Sequence, residues 1–239
     1  MKKSIVLILT TLFTGILYGQ QIDDARYENI VKSLKLDKNK IKEEFCTEKK
    51  MPNTGNSYII IIPVLIEQDE EDYVFTVQNY ILITDEKGMI KNKYLDPEEI
   101  SSDAVYLRSF AIDTGLYNLN THVRAFGVIA DFAGSSRANP YASGRMSMYY
   151  PEGKTLKKVL SQFEMYSTRG EWDTRCNGEF KDDHSVIVLD KTKTNNFTDL
   201  KIKTISVKTI DTEVNGECNE KETSKTTYKI LKFRGGKYQ

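Results

Sequence analysis

Leu156-Lys157-Lys158-Val159-Leu160-Ser161-Gln162-Phe163-Glu164-Met165-Tyr166, then a polar run through Trp172 and Cys176 to Gly178, then Val186-Ile187-Val188-Leu189: the fold turns on this stretch. Its ends are short and rich in β-branched and aromatic residues, and its middle is polar, so it reads as strand, loop, strand. Residues 167–178 form the expected loop. They hold the only tryptophan and one of three cysteines, so the fold is expected to be pinned there. Just upstream, residues 145–150, the turn Pro151-Glu152-Gly153-Lys154 and residues 155–166 make a hairpin.

Outward from this stretch the same period continues. Residues 58–66 are almost wholly apolar, as in a strand covered on both faces. Residues 73–84 lead into Asp85-Glu86-Lys87-Gly88, where glycine supplies the positive φ of a hairpin turn, and residues 89–95 return. Residues 105–113 and 123–132 alternate as further strands, with Gly127 marking a bulge or a close backbone approach. Residues 133–144 read as a twelve-residue loop. Later strands are expected at 185–189, 197–207 and 226–233, with a bulge near Thr204 because the apolar face changes midway along 197–207. Ten short strands without strand-helix-strand alternation predict an antiparallel all-β domain over residues 57–239. A β-sandwich is the leading architecture, and a small propeller-like meander is the alternative. Residues 190–202, with Asp199-Leu200-Lys201-Ile202, resemble the polar loop and following strand of FG-GAP propeller blades. That resemblance implies repeated blades and a calcium loop.

Residues 21–56 precede this domain as a charged arm in which Ile30, Val31 and Leu34 share a helical face. Asp37 caps a turn after it. Lys2 and Lys3, the apolar run of residues 5–17 and Gly19 follow the order of a secretory leader over residues 1–20. About 13 apolar residues are too few for a membrane span, which takes roughly 20. The product is therefore expected to be soluble and periplasmic or secreted, with no membrane span. In an oxidising compartment an even subset of cysteines pairs, and Cys176 with Cys218 is favoured because each sits beside glycine in a polar loop. Cys46 is then the odd thiol. Charge is balanced, with 34 Lys and Arg against 34 Asp and Glu. Such a chain has no field to draw nucleic acid.

Candidate chemistry is sparse. His122 and His184 are the only histidines, and neither accompanies a serine elbow, so no catalytic residue is assigned. A cation among Asp190, Asn195 and Asp199 would face Lys191 and Lys193, so neither a metal nor any other cofactor is expected. Glu171 and Asp173 flank Trp172, an arrangement suited either to a core plug beside the disulfide or to sugar stacking. Arg137, Asn139, Tyr141 and Arg145 bring cations, an amide and an aromatic to one stretch, the types that anchor partners. With Trp172 they are the expected contacts for a protein or glycan ligand. The sequence thus predicts an exported binding or interaction protein. The alternatives are a carbohydrate-active enzyme or lectin-like module around Trp172, and an enzyme inhibitor presenting residues 133–144.

Overall fold

The computed structural model describes residues 21–52, 54–69, 71 and 73–239; the expected leader lies outside them. The α-helix α1 (Asp24–Leu34) and two short 3-10 helices (Lys38–Lys40 and Glu43–Phe45) are followed by strands β1 (Thr47–Lys50), β2 (Ser57–Gln68), β3 (Phe75–Asp85), β4 (Ile90–Leu95) and β5 (Ile100–Ser102). Then come β6 (Val105–Asn118), β7 (Arg124–Gly134), β8 (Tyr141–Glu152) and β9 (Thr155–Trp172). The chain ends with β10 (Gly178–Thr194), β11 (Phe197–Val214), β12 (Glu217–Leu231) and the small hairpin β13 (Phe233–Arg234) and β14 (Lys237–Tyr238). The all-β class holds. Instead of two separate sheets, β1 to β12 form one continuous twelve-stranded sheet.

That sheet coils into a nearly closed barrel. Neighbours run β1-β2-β3-β4-β9-β8-β7-β6, and β6 returns to β1, where Lys49 Nζ donates to the Ile112 carbonyl at 2.9 Å. Alternation decides the layers. Ile59 and Ile61 of β2 point into the barrel core with Val77, Phe110, Phe126 and Tyr149. Ile60 and Ile62 point outward under Ile30 and Val31 of α1. This explains the uninterrupted apolar run of β2, which is covered on both faces. The helix is capped by Asp23, which accepts from Arg26 N, and Lys35 stops it in the left-handed conformation.

Besides the β6–β1 junction, where no residues pair in register, the barrel has a second weak seam. Between β4 and β9 the only register pair is Lys93 with Thr155, and it is parallel. Side chains close the remainder. Asn92 Nδ2 donates to the carbonyls of Gly153 at 2.8 Å and Thr155 at 3.1 Å. Lys158 Nζ reaches Asp96 Oδ2 at 2.8 Å and also Glu98, and the buried Tyr149 hydroxyl donates to Asp96.

Strand β9 stays paired with β8 as far as Arg169, while its other edge takes a new neighbour. Its residues from Tyr166 to Trp172 pair with β10, and β10, β11 and β12 continue as a three-stranded ribbon. The lower ribbon contributes Ile187, Leu200, Ile202 and Leu231 to a second core shared with Met146, Met148 and Phe233. The upper ribbon is a single layer: every residue of β12 before Leu231 is exposed. The disulfide Cys176–Cys218 ties the β9–β10 turn to the start of β12.

Several expectations change here. The loop at 167–178 shrinks to residues 173–177, because residues 167–172 extend β9. There Asp173 Oδ1 accepts from the amides of Arg175, Cys176 and Asn177. The loop at 133–144 shrinks to residues 135–140, since Ala133 pairs with Ala142 across β7 and β8. Small residues read as loop when their only role is to pair. No bulge occurs at Thr204, where β10 and β11 stay in register from Gly178 to Leu189. The apolar face changes because one half of β11 covers a core and the other half covers nothing. Residues 190–202 form a tight hairpin, not a blade loop: Asn195 and Asn196 have φ of 52° and 65°, as a two-residue primed turn requires.

Candidate interaction surface

Because β10 and β11 stay in antiparallel register from Gly178 to Leu189 and β11 and β12 from Leu200 to Val214, residues directly opposite one another share a face. Three rows follow: His184–Ile205–Thr226, Val186–Lys203–Tyr228 and Val188–Lys201–Ile230. The intervening row, Ile187–Ile202–Lys229, faces the other way, and Ile187 and Ile202 are buried in the second core. The first face is therefore the outward one. Val186 is 57% exposed and Tyr228 61%; Val188, Ile205 and Ile230 are also open. Lys201 Nζ stands 4.8 Å from the Tyr228 ring centroid. The nine positions hold five apolar or aromatic side chains, two lysines, one histidine, one threonine and no carboxylate. From strand spacings of about 4.8 Å and a two-residue repeat of about 6.7 Å the block, polar at four of its nine positions, covers roughly 300 Å², within the range of the largest surface patch of a monomer, which is often functional.

The same face continues across β9. Tyr166 lies opposite His184, with the rings stacked 6.2 Å apart. Its ring covers Gly144, where a Cβ would meet Tyr166 Cε1 at 2.0 Å. Burial, and then its hydrogen bond to Asp131, push the Tyr166 phenol up to about 12. Asp131 is in turn held by Arg108 Nη2 at 2.8 Å. Further along, Phe180 lies opposite Gly170 and 6.1 Å from the Trp172 ring.

The five expected partner contacts fall on two faces. Arg137 and Asn139 are exposed on residues 135–140. Trp172 is half-buried at the end of the outward face, with Nε1 donating to the Arg137 carbonyl at 2.7 Å. Tyr141 and Arg145 lie on the opposite face of β8, since Tyr141 pairs with Arg169 and not with Gly170. Arg145 donates to the Tyr141 hydroxyl at 3.2 Å and sits 4.9 Å from the Phe132 ring. Of the acids beside Trp172, Asp173 is fully engaged by its turn, which holds its carboxyl down to about 2, first through Asn177. Arg169 pairs with Glu164, not with Glu171 or Asp173.

Other places offer less. The cavity inside the barrel between Asn79, Ser147 and Gln162 measures about 10 Å³, room for one water and no larger ligand. An open pocket of about 440 Å³ beside α1 is lined by Tyr27, Lys38, Glu43 and Cys46. Among its polar groups, Tyr27 donates to Glu43 and Lys38 to Glu28. Burial, then Glu43 and Glu44, push the Cys46 thiol up to about 12, far from a reactive thiolate. Asp190 and Asp199 both accept from Thr192 Oγ1, while Asn195 turns away to the Phe233 carbonyl. Among the described residues, no three His, Cys, Asp or Glu side chains come together as a metal set. His122 lies in the exposed turn held by Asn120.

Sequence reasoning missed the outward face because the run Glu217 to Tyr228 is nearly devoid of aliphatic residues. The usable signal was the alternation Val186, Val188 against Tyr228, Ile230. Among the described residues no helix is long and apolar enough to cross a membrane. The chain matches no protein-family model, no curated protein and no solved structure.

Proposed function

We propose that this chain is an exported interaction protein whose outward ribbon face binds an acidic, apolar polypeptide surface. The observation that carries this reading is the block of Val186, Val188, Ile205, Tyr228 and Ile230 around Lys201 and Lys203, open to solvent on the side of the ribbon away from the second core. Apolar side chains left uncovered at this density sacrifice hydrophobic stabilisation, at about 25 cal/mol per Å². The two lysines add a preference for negative charge. Export is supported by the leader-like residues 1–20 and by the disulfide, a bond that persists in oxidising compartments.

The test uses 8-anilinonaphthalene-1-sulfonate, an anionic aromatic probe. Its fluorescence should rise saturably with the wild-type chain. Lys201→Glu with Lys203→Glu should weaken that binding by roughly tenfold, whereas Lys221→Glu with Lys225→Glu, on the opposite face, should leave it unchanged. Equal binding by all three proteins, or none by the wild type, would overturn the proposal.

A further inference from the structure

A second open patch has the complementary character. At the β2–β3 turn Ile66 is 49% exposed, Tyr73 76% and Val74 46%. Five of the six residues 67–72 are acidic, and Glu67, Asp69 and Glu71 are exposed. Large exposed apolar side chains stand here within a run of carboxylates. This tip presents an aromatic, two aliphatics and several negative charges; the ribbon face presents aliphatics, an aromatic and two positive charges.

We infer that the partner of the ribbon face is a second copy of this chain, docking its acidic β2–β3 tip onto the Lys201–Lys203 block. The inference rests on the reading of the ribbon face given above. Seated there, Tyr73, Val74 and Ile66 would cover Val186, Val188 and Tyr228, and Glu67, Asp69 and Glu71 would approach the two ammonium groups. The two patches differ, so copies either chain head to tail, tip to face, or close as a reciprocal pair in which each tip sits on the other's face. At roughly 300 Å² a side the contact lies well below the area of a stable complex, so it is reversible and concentration-dependent. Its charged component weakens with salt, because the Debye length shrinks from about 10 Å at 0.1 M to about 3 Å at 1 M.

Sedimentation velocity on the chain without residues 1–20 tests this. The wild type should show weight-average mass rising with concentration at low salt and falling back at 1 M salt. Lys201→Glu with Lys203→Glu should weaken association by at least tenfold, and so should Glu67→Lys with Asp69→Lys and Glu71→Lys, which turns the tip from five negative charges to a net +1, because each sets like charges against one another. Mixed in equal amounts, the two variants should associate again, since each reversed patch meets a reversed complement. Far-UV circular dichroism and thermal melting confirm that both variants fold, and Tyr228→Ser gives an uncharged third variant expected to weaken association as well. A wild type that stays monomeric while still binding the anionic probe overturns the second copy and leaves the ribbon-face reading standing; loss of probe binding too removes both. Association that the tip reversal leaves unchanged, or a mixture that stays monomeric, also overturns it. So does a monomer that sediments with phosphatidylglycerol vesicles in a Lys201- and Lys203-dependent way, which would put an anionic lipid surface in the tip's place.

Discussion

Arg26 and Glu48 form an ion pair in which each side chain is only 5% exposed. The guanidinium also lies 3.7 Å from the Tyr58 ring centroid, and its Nε donates to the Glu86 carbonyl at 3.3 Å. One side chain thus binds α1 to β1, β2 and the β3–β4 turn. Removing one partner leaves an uncompensated buried charge, so Glu48→Ala should cost about 3–5 kcal/mol in urea unfolding. Arg26→Met with Glu48→Leu should recover most of that loss; equal destabilisation by single and double variants would show that the charge is not what is felt. Cys46 gives a pH signature. A thiol in the unfolded chain ionises near 8.5, while the folded one is pushed up to about 12. The folded state therefore keeps its full advantage below about 8.5 and loses it as pH rises toward 12. At pH 8.5 iodoacetamide should label Cys46 slowly in the native chain and rapidly in urea; similar rates would contradict a half-buried thiol held neutral.

At the scale of elements, the ribbon and the barrel differ in what supports them. The barrel has a closed apolar core, whereas the upper ribbon has cross-strand pairs, the Ser185–Thr204 hydroxyl bond at 2.8 Å and the disulfide at its tip. The bridge closes a sequence separation of 42 residues, which in the chain-entropy account is worth at most about 4 kcal/mol. Cys176→Ser with Cys218→Ser should therefore speed amide exchange across residues 205–224 while leaving β2 and β7 protected. Uniform acceleration would mean that ribbon and barrel unfold as one unit. These supports also explain what could be read in advance. The hairpin at Asp85–Gly88 was legible because Gly88 has φ of +85° and the turn chemistry is local. The helix over Ile30 and Val31 was legible from its spacing. The cysteine pair, found bonded in the structure, was legible from the leader-like start of the sequence and the flanking glycines. Strand β12 was only half legible, because a strand exposed on both faces carries no apolar period, and residues 217–225 are Glu, Cys, Asn, Lys, Thr and Ser.

For the whole molecule, the all-β class follows from period two alone, yet the single coiled sheet does not. Alternation says that a strand has a buried face; it does not say which element buries it. The faces of β7 show this: Phe126, Val128, Ala130 and Phe132 fill the barrel, while Ala125 and Ile129 belong to the second core. The same pattern would serve two stacked sheets. The candidate surface was legible only at Trp172, since the block around Lys201 and Lys203 is assembled by pairing residues up to 46 positions apart, from His184 to Ile230. Strand β9 is common to both halves: eighteen residues long, it is laced to β8 along the barrel wall and to β10 in the ribbon. Tension on the ribbon from a seated partner would pass down this one continuous strand and load the β8–β9 ladder lengthwise, in shear. Many hydrogen bonds would then have to yield together, so the protein can be tugged by what it holds without being unzipped.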